Sequence, residues 1–231
     1  MKIIVFSDFH GRIDNIKPII ESKKYDEYIF AGDMFGYFEA SPEIIDLMIE
    51  YNVKFILGNH DLYFLREMMP EFFASRFQSY ESKMISSEEY EAKYGYLYSS
   101  IEKISNTKPE FFENIDLSAR FFLDGVDFFV CHGSPSNILE EYIYPDYEYF
   151  DKLFEEFQFD VLVLGHTHKN FITENNGRFI INPGSCTIPR GVGNPPTYIE
   201  FDTDKMSACV NELNQLVDYY KITRSKLALR I

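Results

Sequence analysis

The chain has 231 residues, 45% of them hydrophobic and 17% aromatic, which is enough material for the core of one large α/β domain. Its formal net charge of −15 argues against a long nucleic-acid interface or an anionic membrane surface, because both require clustered Lys and Arg. The first apolar run is too short for a signal-peptide core, and no later run approaches the length of a membrane span. We therefore predict a cytoplasmic protein with no membrane association.

The first third of the sequence alternates between strand and helix patterns. Apolar, β-branched runs predict strands at 2–7, 27–33 and 54–59. Between them, Ile13, Ile16 and Ile20 share one face of a predicted helix, and Ser41-Pro42 is a suitable start for a second helix. Alternating strands and helices with short links favour a parallel sheet with right-handed crossovers.

Helical spacing of apolar and aromatic residues continues from Leu62 to about Ile104, and Tyr90 and Tyr94 belong to this pattern. We interpret 62–114 as a helical hairpin inserted between strands. Its aromatic faces are predicted to pack helix against helix, and the alternatives are a substrate lid or a dimer surface. Homo-oligomerisation is therefore left open.

The second half is rich in strand patterns. Two hairpins are predicted, one with Asp124-Gly125 at its turn and one with Asn176-Gly177. A helix is predicted near 147–157, a strand follows at 160–166, and a final strand pair covers 197–213.

Candidate metal ligands follow the ends of the predicted strands. A glycine precedes the ligand at Gly32-Asp33, Gly58-Asn59 and Gly165-His166, and glycine allows a sharp turn close to a bound ion. Functional groups of a parallel sheet belong at the carboxyl ends of its strands. The spacing of Asp8 and His10, repeated in His166 and His168, would place both side chains of each pair on the same side of an extended segment.

All five histidines follow an apolar, strand-like run: His10, His60, His132, His166 and His168. A single histidine is more often a structural residue, but their joint placement with Asp8, Asp33 and Asn59 favours a metal site. Asp, His and Asn ligands without thiolate suit Mn²⁺, Fe²⁺/Fe³⁺, Zn²⁺ or Ni²⁺ better than Ca²⁺. The set is larger than one ion needs, which predicts two divalent ions sharing a bridging carboxylate, an arrangement suited to phosphate-ester hydrolysis.

The motifs D-x-H, G-D, G-N-H-D, H-G and G-H-T-H occur in this order between Asp8 and about Arg190. This set resembles the calcineurin-like metallophosphoesterase superfamily, and "GDMFGYFEASPE" and "NPGSCTIPRG" further resemble its small prokaryotic phosphodiesterase-like branch. The resemblance implies a single metallophosphoesterase domain over 1–231. Its expected fold is a four-layer αββα sandwich of two mixed β-sheets flanked by helices, of the α/β (α+β) class, with the helical insertion at about 62–114.

The resemblance also implies a role for each site residue. Asp8, His10 and His168 would hold the first metal, Asn59, His132 and His166 the second, and Asp33 would bridge them. A hydroxide shared by the two metals would attack phosphorus, Asn59 would contact the phosphate, His60 would protonate the leaving group, and Asp61 would orient His60 and raise its pKa. The alternative for Asp61 is an N-cap of the helix that follows.

The substrate is expected to be a small phosphorylated molecule, a phosphodiester or phosphomonoester, with a nucleotide as one candidate. Arg190 is a candidate contact for its phosphate, and a surface or ion-pair role is the alternative. A nuclease, a protein phosphatase and a non-catalytic scaffold are the rival functions. Acidity argues against the nuclease, Gly36 and Tyr37 replace the arginine-containing motif of protein serine/threonine phosphatases, and a scaffold needs neither the full ligand set nor His60.

Overall fold

The structure is a computed structural model that describes residues 1–104, 109–191 and 193–214. Its ten strands are β1 (Lys2–Phe6), β2 (Glu27–Phe30), β3 (Lys54–Phe55), β4 (Ser118–Leu123), β5 (Val126–Cys131), β6 (Val161–Val163), β7 (Asn170–Asn175), β8 (Arg178–Pro183), β9 (Thr197–Asp202) and β10 (Ser207–Glu212). The seven α-helices of the described residues are α1 (Lys17–Glu21), α2 (Glu43–Glu50), α3 (Asn59–Met68), α4 (Pro70–Phe77), α5 (Ser87–Tyr94), α6 (Leu97–Ile104) and α7 (Phe150–Glu156).

The strands form two mixed five-stranded sheets, in the orders β10-β9-β1-β2-β3 and β4-β5-β6-β8-β7. The predicted parallel arrangement is confirmed for β1, β2 and β3, and β9 adds to β1 in the antiparallel direction. Both predicted hairpin turns are confirmed: Asp124-Gly125 joins β4 to β5, Asn176-Gly177 joins β7 to β8, and all four turn residues have positive φ. Such two-residue turns match the right-handed twist of the strands.

Strand alternation creates the layers of the fold. In β1, Ile3 and Val5 face the apolar cluster between the two sheets, whereas Ile4 and Phe6 face the helices on the other side. The outer face of the second sheet packs against α7, where Leu153 joins the cluster. Each sheet is therefore covered on both faces, and the expected four-layer sandwich is confirmed.

The insertion is helical as predicted, but it forms four short α-helices, α3 to α6, rather than one hairpin. Local signals divide it: Pro70 begins α4, Ser86 caps α5 by accepting from the Glu89 N–H, and Gly95 ends α5 with a φ of 74°. The helices α3, α5 and α6 pack around Tyr90 and Leu97, which are fully buried in the cluster that also covers β1 and β2.

Three further boundaries differ from the prediction. The helix after β1 is only five residues long, because residues 13–16 form turns that still bury Ile13 and Ile16. β3 is two residues long, and α3 begins directly at Asn59. Residues 219–231, a stretch of the sequence that is locally rich in Lys and Arg, lie outside the described residues. Among the residues that the structure describes, no helix has the length and apolarity to cross a membrane.

Candidate dinuclear metal centre

The candidate ligands lie in the segments that directly follow five strands. Asp8 and His10 follow β1, Asp33 follows β2, and Asn59 comes after β3; His132 follows β5, and His166 and His168 follow β6. The segments after β2 and β3, which are neighbours in the first sheet, lie close together here, since a Cβ on Gly58 would collide with the carboxylate of Asp33 and one on Gly32 would collide with the backbone of Gly58. The predicted need for glycine beside the ligands is thus confirmed at these two positions.

Five of the ligands have a left-handed backbone, with φ values between 49° and 67°: Asp8, His10, Asp33, His166 and His168. This region costs a non-glycine residue of order 1–3 kcal/mol, and such residues cluster at functional sites. The predicted convergence of Asp8 with His10 occurs, but the extended geometry proposed as its cause is wrong. The chain instead turns at both residues, with Phe9 buried between them.

The first ligand group contains Asp8, His10, Asp33 and His168, whose candidate ligand atoms all lie within 4.8 Å of one another. The Nε2 atoms of His10 and His168 are 2.9 Å apart, and His168 Nε2 lies 3.2 Å from Asp8 Oδ1. His10 Nε2 is 3.8 Å from Asp33 Oδ2. These atoms surround one position that suits a cation.

The second group contains Asp33, His132 and His166, again within 4.8 Å. His132 Nε2 lies 3.2 Å from Asp33 Oδ2, the same oxygen that faces His10. Asp33 therefore belongs to both groups, as the bridging role requires. Asn59 is half-buried, and its side-chain oxygen is buried without a hydrogen-bond partner.

Buried polar atoms without hydrogen-bond partners indicate whether the candidate ligands fit metal ions. Among the described residues, five buried side-chain polar atoms have no hydrogen-bond partner, and four of them belong to candidate ligands: Asp8 Oδ1, Asn59 Oδ1, His132 Nε2 and His166 Nε2. Buried polar atoms are nearly always satisfied, so this concentration is expected where cations complete the site. The oxygen and imidazole donor set suits Mn²⁺, Fe²⁺/Fe³⁺, Zn²⁺ or Ni²⁺.

Hydrogen bonds to backbone carbonyls orient three of the imidazole rings. The Nδ1 atoms of His10, His132 and His168 lie 3.1, 2.7 and 2.8 Å from the carbonyl oxygens of Phe35, Ala31 and Ile188. Donation from Nδ1 leaves Nε2 free to bind a metal. Asp33 Oδ1 accepts from the His60 N–H at 2.9 Å, which leaves Oδ2 facing the two ligand groups.

The surroundings of His10, His132 and His166 shift the pKa values of these three rings in different directions. Burial lowers the pKa of His10 well below its ordinary value and that of His166 to about 3, so both rings are neutral, as metal ligation requires. His132 differs: burial lowers its pKa, but the Asp33 and Asp8 carboxylates, with the Ala31 carbonyl, together outweigh burial and raise the pKa to about 10. A proton on His132 Nε2 and a cation would compete for the same place beside Asp33, so His132 would hold a metal in its neutral form.

The sequence predicts that Asp61 orients His60, but in the structure Asp61 does not contact the His60 ring. Its carboxylate accepts from the backbone N–H groups of Asp33 (3.0 Å), Phe35 (2.9 Å) and Gly58 (2.8 Å). A buried carboxylate needs such donors, and the loop after β2 and the start of α3 supply them. The N-cap alternative is also wrong, because Gly58 is the N-cap and Asp61 is the third helical residue, which bonds back to the cap N–H.

The inserted helices supply the hydrogen-bond partner of His60. Tyr90 of α5 is fully buried, and its hydroxyl lies 2.6 Å from His60 Nδ1. Tyr37 and Tyr94 complete the aromatic surroundings, with ring centroids 5.1 and 4.9 Å from that of His60. The predicted rise in the pKa of His60 is wrong, since burial lowers it to about 4. The helical spacing of Tyr90 and Tyr94 predicted their packing, but nothing local links them to His60.

Arg190 is exposed and lies beside the ligands. Its backbone N–H donates to the carbonyl of His168 at 3.0 Å, and its Nη1 donates to the Tyr144 hydroxyl at 3.1 Å. The guanidinium lies 5.5 Å from the ring centroid of Tyr142, and that ring packs against His166 with centroids 3.9 Å apart. The ion-pair alternative is not observed among the described residues.

Two His/Asp ligand groups that share one carboxylate, at the strand ends of a four-layer sandwich, define the class of dinuclear metallohydrolases. Residues 1–206 match the model of the calcineurin-like phosphoesterase superfamily domain, and the chain belongs to this family. The protein is therefore a metal-dependent phosphoesterase, a hydrolase of the class that acts on small phosphorylated substrates.

Individual relatives are similar to different extents of the chain. The chain is 25% identical to an uncharacterized protein of Methanocaldococcus jannaschii, covering 97% of this chain and 93% of the relative. A 50-residue stretch is 48% identical to the phosphodiesterase YfcE of Escherichia coli, covering 22% of this chain and 27% of that protein. The crystal structure of a metallophosphoesterase from Sphaerobacter thermophilus shares the fold, with a TM-score of 0.69, 20% identity, and coverage of 99% of this chain and 95% of that one.

Proposed function

We propose that the protein hydrolyses an ester bond of a small phosphorylated molecule at two divalent metal ions held between the sheets. The observation that carries this proposal is the sharing of Asp33 by two buried ligand groups, three of whose candidate ligand atoms lack hydrogen-bond partners. One ion would be held by Asp8, His10, Asp33 and His168, and the other by Asp33, Asn59, His132 and His166. When bound, such ions supply hydroxide near neutral pH and neutralise charge on the phosphoryl oxygens.

The chain's own residues hold the reacting groups in place. Asn59 begins α3, and in this proposal its side-chain oxygen binds metal while its amide N–H donates to a phosphoryl oxygen. Asp61 acts as a positioning residue, because its three backbone hydrogen bonds tie the Asp33 loop to the start of α3. These hydrogen bonds hold the distance between the Asp33 carboxylate and Asn59 constant.

His60 is proposed to act as the general acid and Tyr90 to position it. Burial raises the pKa of Tyr90 well above its usual range, so its hydroxyl keeps its proton. That hydroxyl can donate to Nδ1 of neutral His60 and accept from Nδ1 of the protonated ring, whereas an ionised carboxylate can only accept. The anionic phosphate of a bound substrate favours protonation of His60, which is neutral at pH 7 in the free site.

The surroundings of the site favour a small substrate with an apolar or aromatic leaving group over a phosphoprotein. Tyr37 takes the position where protein serine/threonine phosphatases carry their motif arginine, and its ring lies 4.6 Å from that of His10. Together with Tyr94 it lines the approach to His60 with aromatic surface. The net charge of −15 adds a second argument against long nucleic acids as substrates.

Metal-replacement assays test the proposal. The purified protein is stripped with chelator, reloaded with Mn²⁺, Ni²⁺, Zn²⁺ or Fe²⁺, and assayed on p-nitrophenyl phosphate and bis(p-nitrophenyl) phosphate, with metal content measured by mass spectrometry. We expect two ions per chain and hydrolysis of at least one ester, and an Asp33→Asn variant should lose both ions. Binding of fewer than two ions, or no turnover of either ester with any metal, would refute the proposed centre.

A further inference from the structure

A cationic patch lies beside the metal ligands of this acidic protein. It consists of Arg190 and Lys169 on the rings of Tyr142 and Tyr144. Arg190 Nη1 donates to the Tyr144 hydroxyl, and Lys169 Nζ lies 5.2 Å from the centroid of the same ring. Two like charges are thus held on one tyrosine.

Arg190 is chemically distinct among the described arginines. Every other one pairs its guanidinium with a carboxylate or with backbone carbonyls: Arg12, Arg66, Arg76, Arg120 and Arg178. The Arg190 side chain contacts two tyrosines, Tyr142 and Tyr144, and neither Arg190 nor Lys169 forms an ion pair within the described part of the chain. A guanidinium has five donors arranged to fit a phosphate or carboxylate, so most of its donors remain available.

The patch is connected to the candidate metal ligands by the polypeptide chain, a hydrogen bond and a ring contact. Lys169 is the residue after His168, and the Arg190 N–H donates to the His168 carbonyl. The ring of Tyr142, which is 42% exposed, packs on His166 and lies beneath the Arg190 guanidinium. One edge of the site therefore contains the two cationic side chains together with His166 and His168, which are candidate ligands of different metal ions.

We propose that this patch is a second anion subsite that binds a non-reacting phosphate group of the substrate. The inference rests on the proposed function and narrows its substrate class to molecules that carry two phosphoryl groups, one at the metals and one at Arg190 and Lys169. The chemistry supports this class because a phosphate would relieve the repulsion between the two cations and fill the guanidinium fork. In a chain of net charge −15, such a local cation pair also offsets the repulsion of a polyanion.

Binding of two simple anions tests the subsite without turnover. Calorimetry on the metal-loaded protein compares inorganic phosphate, which has one phosphoryl group, with pyrophosphate, which has two. We expect Arg190→Ala to weaken pyrophosphate binding about tenfold, the usual effect of losing a charge-assisted hydrogen bond, and to change phosphate binding less than about twofold. Lys169→Ala should act in the same direction with a smaller effect, because an ammonium is a point charge without the guanidinium fork.

Arg120→Ala is the matched control. Arg120 also lies over an aromatic ring, that of Phe129 at 4.7 Å, but it pairs with Asp127 on β5. Arg120→Ala removes the same charge as Arg190→Ala and should leave the affinities for phosphate and pyrophosphate unchanged. Equal weakening of phosphate and pyrophosphate by Arg190→Ala would overturn the subsite, because Arg190 would then serve the reacting phosphate. An unchanged pyrophosphate affinity, or the same loss in Arg120→Ala, would overturn it as well.

The result is independent of whether an ester is hydrolysed. If no ester is turned over but the selective loss of pyrophosphate binding is found, the proposed function fails and the subsite stands. If esters are hydrolysed and adenosine 3′,5′-bisphosphate is no better a substrate than AMP in wild type, the subsite fails and the phosphoesterase stands.

Discussion

The hydrogen bond between Tyr90 and His60 predicts a specific effect of Tyr90→Phe. The substitution removes one oxygen atom and keeps the ring that packs against Tyr63 and Tyr94. His60 Nδ1 then loses its 2.6 Å partner in a site where His60 is only 6% exposed. Leaving a buried polar group unsatisfied costs about 1–3 kcal/mol, and each 1.4 kcal/mol corresponds to about tenfold in rate.

The cost should appear where His60 transfers a proton. A positioned general acid contributes roughly 10²–10⁴-fold, and losing its orienting partner should remove about tenfold of this for alkyl esters. p-Nitrophenolate leaves without protonation, so p-nitrophenyl esters should slow by less than about twofold. The assay is kcat/KM for a series of aryl and alkyl phosphate esters with Tyr90→Phe, His60→Asn and the double variant. Metal content is measured in parallel and should not change.

Tyr63→Phe is the matched control for Tyr90→Phe. Tyr63 stacks on Tyr90 with ring centroids 4.2 Å apart, and its hydroxyl accepts from the Ile85 N–H rather than contacting His60. It should lower stability slightly and leave the leaving-group dependence unchanged. Two results would refute the reasoning: equal slowing of all esters by Tyr90→Phe, or additive effects in the double variant. Protein labelled with ¹⁵N adds a direct readout, because Tyr90→Phe should change the ¹⁵N shifts of the His60 ring and Tyr63→Phe should not.

Three further predictions follow from packing around the site and the second sheet. Gly58→Ala should abolish metal binding, measured as bound metal per chain, because its Cβ collides with Asp33, whereas Gly125→Ala in an open turn should cost only about 1 kcal/mol and keep both ions. Asp61→Asn should lower metal content and melting temperature without altering leaving-group dependence; the opposite pattern would mean that Asp61 acts on His60 after all. Arg178→Ala should cost about 2–4 kcal/mol of unfolding free energy in urea titrations, because the guanidinium donates to three backbone carbonyls around the end of α7, and an unchanged midpoint would contradict this.

Local patterns were enough to predict the parallel strands of the first third, both hairpin turns and the residues that cluster at the strand ends. A β-strand alternates strictly, an Asx-Gly turn has one preferred geometry, and the carboxyl ends of parallel strands meet at one edge. The same patterns overestimated the length of β3 and merged four helices into a hairpin. Those boundaries depend on Pro70, Ser86 and Gly95, whose capping signals lie inside one continuous helical spacing.

The ligands converge for a reason that the sequence pattern did not contain. Two residues on an extended segment point the same way, but Asp8 and His10 both have positive φ and meet through a turn. Such strain is tolerated only where surrounding hydrogen bonds hold it, here from Asp8 N to Gly32 O and from His10 N to Asp33 O. Gly32 and Asp33 follow β2, whereas Asp8 and His10 follow β1, so the turn depends on a contact between two strands.

Residue identity along the chain determined which atoms could bind metal, because a glycine-ligand pair at a strand end has the same chemistry wherever the strand lies. Only the tertiary structure decided what each of these atoms faces. In the folded structure Asp33 belongs to both ligand groups, Asp61 accepts from three backbone N–H groups, and His60 forms a hydrogen bond with Tyr90. Tyr90 lies 30 positions away on an inserted helix, and a contact across that separation depends on how α5 packs on α3, which no local spacing encodes.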